Sequence, residues 1–147
     1  MPDLESVELT PRRRSREMAL QLLFLKAFAP DKGLEASPKG LFADFVRDFD
    51  IEREIAEYGG TLFFGVCENL ETIDRTIEAH ARHWKVARMS LVDLSLLRIA
   101  VFEMTFLHPK LKPNIAINEA VELARLFGST DSASFVNGIL DPIARQI

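Results

Sequence analysis

The feature that most constrains this chain is its punctuation. Hydroxyl-proline pairs, capping residues and single prolines divide it into apolar runs of helical period. Thr10-Pro11 and Ser37-Pro38 each place a hydroxyl before a proline, the pairing that favours a helix start. The first pair predicts a helix from Pro11 to about Ala29, stopped by Pro30, with a loop over Asp31 to Ser37. The second predicts a short helix carrying Leu41, Phe42, Phe45 and Phe49, after which Asp50 is expected to cap a third helix from Ile51 to about Glu68. Gly59, Gly60 and Gly65 inside that third run point to close helix approach or a kink.

A fourth helix is expected over Glu71 to about His83, with Ile73, Ile77 and Ala81 on one face. Ser90, with Asp93 three residues on, opens a fifth that ends near Leu107. Its interior, LLRIAVFEM, is apolar on most sides and reads as the central helix. Lys110 to Ile115 reads as extended linker. A sixth helix follows to Phe127, closed by Gly128 as a left-handed cap and with Asn118 as a candidate starting cap. Asp131 or Ser132 should cap a seventh that Pro142 ends or kinks. Alternating strand patterns are absent. The expected fold is all-α: about seven helices in two packed helical-bundle subdomains, about 11–70 and about 71–147, behind a flexible arm over residues 1–10.

Chemistry is thinly signalled. There is no nucleotide-binding glycine loop and no nucleophile elbow. Cys67 is the single cysteine, so neither an intrachain disulfide nor a multi-cysteine zinc site can form. His80 and His83 lack further ligands and read as solvent-exposed, and Glu119 with Glu122 as solvated helix surface. No membrane span, catalysis, cofactor or metal is expected, and the cytoplasm is the default compartment.

The anomaly is RRRSRE. Arg12, Arg13, Arg14 and Arg16 crowd the first turns of a helix, where the macrodipole disfavours cations by roughly 0.3–1 kcal/mol per exposed charge. An Arg13–Glu17 pair would recover only a few tenths. Two readings stand: a solvated cap that aids solubility, or a polyanion contact, because arginine forks match phosphate oxygens. Behind the arginines, Ala19, Leu22 and Leu23 can face the core. Leu20, Phe24 and Phe28 then form a neighbouring apolar stripe, with burial expected for Phe28 and a partner role weighed for Phe24.

The segments RRRSREMALQLLF, LLRIAVFEM and INEAVELARLFGSTDSASFVNGILD together resemble the NusB family of transcription antitermination factors. The resemblance implies an all-helical, non-catalytic protein that pairs with NusE, a small-subunit ribosomal protein. The pair binds boxA RNA and helps the RNA polymerase antitermination complex, notably in ribosomal RNA operons. It implies RNA contact by Arg12, Arg13, Arg14, Arg16, Asp131 and Phe135, with Phe24 and Asp93 near the partner junction. Ser134 stands where several members carry lysine, and Phe24 where many carry tyrosine. Two alternatives remain: an accessory helical module of a ribosomal RNA methyltransferase, and a helical adaptor without RNA binding. Homodimerisation is left open. The net charge of −4 conceals a segregation, with +3 over Arg12–Glu17 and −7 over the rest.

Overall fold

The computed structural model describes residues 10–28 and 37–147. The expected arm, apart from Thr10, and the loop from Asp31 up to Ser37 lie outside them. Seven α-helices and one short 3₁₀ turn make up the regular structure of the described residues, with no strand among them. Helix α1 (Pro11–Phe28) opens as the sequence implies: Arg13 N–H donates to Thr10 Oγ1 at 3.2 Å. Helix α2 (Pro38–Asp48) opens the same way, with Gly40 N–H donating to Ser37 Oγ at 3.0 Å.

Asp50 does not cap the next helix. It adopts φ 49°, a left-handed conformation that Asp tolerates better than most residues, and it closes α2. Asp50 N–H donates back to Arg47 O, and Ile51 N–H to Val46 O at 3.1 Å. This paired arrangement satisfies two carbonyls at the end of α2. Helix α3 (Arg53–Glu68) therefore starts two residues later than expected, on Glu52, without a side-chain cap.

The glycines of α3 set how near its neighbours come. A Cβ on Gly59 would lie 2.7 Å from Met18 Sδ of α1. One on Gly65 would lie 2.2 Å from the Phe102 ring of helix α5 (Leu91–Thr105). These contacts decide for close approach. Helix α4 (Leu70–His80) stops at His80, three residues short of expectation. Trp84 N–H turns back to Ala81 O at 2.7 Å, and the Glu78 carboxylate accepts from Val86 N–H at 3.1 Å, which folds the chain into the 3₁₀ turn Val86–Arg88.

Helix α5 is the central helix. Ser90 Oγ caps it by accepting from Asp93 N–H at 3.1 Å, and most of its side chains are buried. Helix α6 (Pro113–Phe127) begins at Pro113, inside the segment expected to be linker, because proline suits the first helical position. Asn118 sits within it and caps nothing. Gly128 is extended (φ −93°, ψ −170°), not left-handed. It is needed for space, since a Cβ there would meet Ser132 Oγ at 2.4 Å.

Helix α7 (Ser132–Arg145) runs through Pro142, so the helix end expected there does not occur. The carbonyl that Pro142 cannot engage belongs to exposed Gly138, where water can satisfy it. Helix α1 packs mainly on α3 and α5, while α6 and α7 pack on each other and on α5. The buried side chains join into one continuous core around α5.

Candidate nucleic-acid interface

The four arginines at the start of α1 do not share one fate. Helical period separates them. Arg12 and Arg16 lie four residues apart, on the side facing α3 and α5. Arg13 faces α6, and Arg14 faces outward. Arg16 shares its face with the core residues Leu20 and Leu23 and is itself buried. Its guanidinium grips Glu103 of α5 with Nε at 3.0 and 3.1 Å and Nη2 at 2.9 Å, and its Nη1 lies 3.5 Å from Glu119 of α6. Burial works against the Arg16 charge, but the hydrogen bonds and charge of Glu103, aided by Tyr58 and Glu119, outweigh it and raise its pKa. The Tyr58 hydroxyl of α3 also donates to Glu103. Burial, then the Glu103 charge, push the Tyr58 phenol well above its usual range.

Arg13 donates through Nε to Glu119 Oε2 at 2.9 Å and through Nη2 to Oε1 at 3.1 Å. This fork, opposed by partial burial and helped by the Arg13 and Arg16 charges, holds the Glu119 carboxyl below its ordinary value. Glu119 is thus an ion-pair partner, not solvated surface. The expected Arg13–Glu17 pair does not form. Partial burial raises the Glu17 pKa against the opposing charge of Arg14.

Arg12 and Arg14 remain exposed, without an ion pair among the described residues. Arg12 sits over the Tyr58 ring, its Cζ 3.8 Å from the centroid. This cation–π contact engages the guanidinium without a hydrogen bond, and its N–H donors have no acceptor among the described residues. Beside it opens a cleft lined by Thr10, Arg12, Tyr58, His108, Lys110 and Glu119, which brings a further cation to the same place.

The other expected site residues fall elsewhere. Phe135 is half-buried on α7 and meets Trp84 in a T-shaped contact, centroids 5.9 Å apart. Asp131 is exposed and caps α7 through its backbone only, accepting from Phe135 N–H at 3.0 Å, while Ser132 Oγ reaches back to accept from Ser129 N–H at 2.9 Å. Asp93 is buried and its Oδ1 has no hydrogen-bond partner. It sits in the first turn of α5.

Phe24 is 38% exposed, and Phe28, expected to be buried, is 70% exposed, whereas Leu20 turns into the core. The two ring centroids lie 5.1 Å apart. Phe24, Leu25, Phe45, Phe49 and Ile51 line an open apolar groove between α1 and the end of α2. His83 is exposed as expected. His80 is half-buried, bonded to Thr76 O and Gln146 Oε1.

Sequence reasoning missed Glu103, Glu119, Tyr58 and Trp84. Glu103 carried a signal, as the one acid in an apolar run that must be buried. An acid there requires a cation. A sequence model of the NusB family matches residues 13–145. The chain belongs to the NusB family. A NusB protein of Bdellovibrio bacteriovorus is 44% identical over 95% of this chain and 98% of its own length. The NusB structure of T. maritima matches 95% of this chain and 94% of its own with a TM-score of 0.79 and 34% identity. A crystal structure of the antitermination factors NusB and NusE in complex with double-stranded RNA matches at TM-score 0.79 and 25% identity, over 93% of this chain and 98% of that one. No described helix is long and apolar enough to cross a membrane.

Proposed function

We propose that this NusB-family protein is an RNA-binding transcription antitermination factor. It pairs with NusE to bind boxA RNA and helps RNA polymerase resist termination, notably in ribosomal RNA operons. It acts in the cytoplasm by binding alone, with no chemical step of its own. The carrying observation is the pair of exposed, unpaired arginines, Arg12 and Arg14, on the helix end that electrostatics disfavours. Arg13 and Arg16 hold that helix end in place through Glu119 and Glu103, so the cluster divides into two contacts and two anchors. Phe135 supplies a ring for base contact, and Asp131 an exposed acceptor beside it. The exposed face of Phe24, Phe28 and Phe49 supports a protein partner. Asp93, being buried, shapes the start of α5 near the partner junction without direct contact. The helices fall into two subdomains that meet near residue 70.

The test is binding of boxA RNA and of a scrambled RNA, with and without NusE, across a salt series. BoxA should bind more tightly than the scrambled RNA when NusE is present. Arg12→Ala and Arg14→Ala should each lower the salt slope by about 0.7, the loss of one single-strand phosphate contact. Equal binding of the two RNAs with NusE present refutes the function, and unchanged slopes refute the two arginines as contacts.

A further inference from the structure

Unpaired exposed arginines occur in a second place. The exposed arginines Arg47, Arg53, Arg75, Arg125 and Arg145 each have a carboxylate within ion-pair distance. Arg13, Arg16 and Arg98 are likewise paired. Among the described residues, the arginines without such a partner are Arg12 and Arg14, at the start of α1, and Arg82 and Arg88, in the connection between α4 and α5. That connection reads ARHWKVAR. Its cations Arg82, Lys85 and Arg88 are all exposed, and so is Trp84 at 51%.

Solvent exposure of half an indole is unfavourable, and three unneutralised cations within seven residues repel one another. Neither feature stabilises the fold. The segment is nevertheless fixed: Glu78 accepts from Val86 N–H, the backbone turns at Ala81 and Val86, and Phe135 holds the indole at an interplanar angle of 81°. A rigid, half-exposed aromatic ring between cations is the arrangement that single-stranded nucleic acids use, with a base stacked on the ring and phosphates on the flanking charges.

We propose that Trp84, with Arg82, Lys85 and Arg88, is a second RNA contact of this protein, a stacking platform for an unpaired base next to Phe135. This deepens the RNA-binding reading and rests on it. Single-stranded RNA is the favoured occupant because the three cations call for a polyanion, while the exposed ring calls for a flat apolar face that a duplex does not offer. Asp131, four residues before Phe135, disfavours a phosphate at that edge. The strand therefore lies with bases toward Phe135 and phosphates toward Arg82 and Arg88.

Trp84 is the only tryptophan, so its fluorescence reports the site directly. Titration of the full chain, with its protein partner present, by single-stranded boxA RNA should quench the emission, and duplex RNA of the same sequence should quench it less. Trp84→Leu should weaken single-strand binding about 5- to 150-fold, the range for one base–aromatic stack. Trp84→Phe should restore most of the affinity if stacking is the cause, which separates stacking from a folding defect. Arg82→Gln with Arg88→Gln should lower the salt slope by about 1.4. RNA binding that persists with no quench and no loss in Trp84→Leu overturns the platform and leaves the function assigned above intact. Trp84→Leu that keeps RNA affinity but loses the protein partner assigns the surface to that partner and also overturns it. Failure of every variant and the parent to bind RNA refutes both.

Discussion

The bond between Arg16 and Glu103 is the strongest quantitative commitment of the fold. Both side chains are nearly sealed, at 6% and 1% exposure, and joined by three short N–H to carboxylate contacts. Replacing Glu103 by Leu leaves the guanidinium buried with only Glu119 at 3.5 Å and deprives the Tyr58 hydroxyl of its acceptor. An orphaned buried charge costs about 3–5 kcal/mol. The remaining Glu119 contact places the expected loss near the lower bound, roughly 3–4 kcal/mol. With a urea m-value of about 2 kcal/mol/M for a domain of this size, the midpoint should fall by roughly 1.5–2 M. Arg16→Met should cost about as much.

The double variant, Arg16→Met with Glu103→Leu, replaces the pair by apolar groups. Desolvation of two ions is then avoided, and stability should return to within about 1 kcal/mol of the parent. The assay is urea unfolding followed by far-ultraviolet circular dichroism on all four proteins, read as a double-mutant cycle. The pair should show a coupling of several kcal/mol. Additive losses, or single losses below about 1 kcal/mol, would refute the burial argument.

Other outcomes follow from the same geometry. Gly65→Ala should destabilise by about 1–3 kcal/mol through the clash with Phe102, whereas Gly138→Ala, with open space around its Cβ, should stabilise by about 0.5–1 kcal/mol; thermal melting of the two variants checks the contrast. The Glu119 carboxyl is depressed in the folded chain, so its contribution is present above the ordinary carboxylate value and is lost as pH falls through the lowered one. Glu119→Gln should therefore flatten the acid limb of stability against pH relative to the parent, and parallel curves would exclude the Arg13 fork as its source. Ser132→Ala removes the acceptor of Ser129 N–H and should cost about 1 kcal/mol in urea unfolding, concentrated on the start of α7 in hydrogen exchange.

What the sequence determined by itself is the set of helices and their starts. Thr10-Pro11, Ser37-Pro38 and Ser90 act within three or four residues, so their caps are written locally and appear where the sequence puts them. The central position of α5 is equally legible, because an apolar surface on most sides admits no other place. Helix ends were less legible, because a contact a few residues along the chain can compete with the next helical turn. α4 ends at His80 because Glu78 and Val86 fold the chain back, and Asp50 closes one helix where it was expected to open another. The arginine cluster shows the limit most clearly. Sequence marks four equivalent cations, but Arg16 meets an acid 87 positions away and Arg13 one 106 positions away. Only the packing of α1 on α5, with Glu119 of α6 in reach of its first turns, tells anchors from free contacts, because a buried charge is settled by what packs against it and not by its neighbours in the chain.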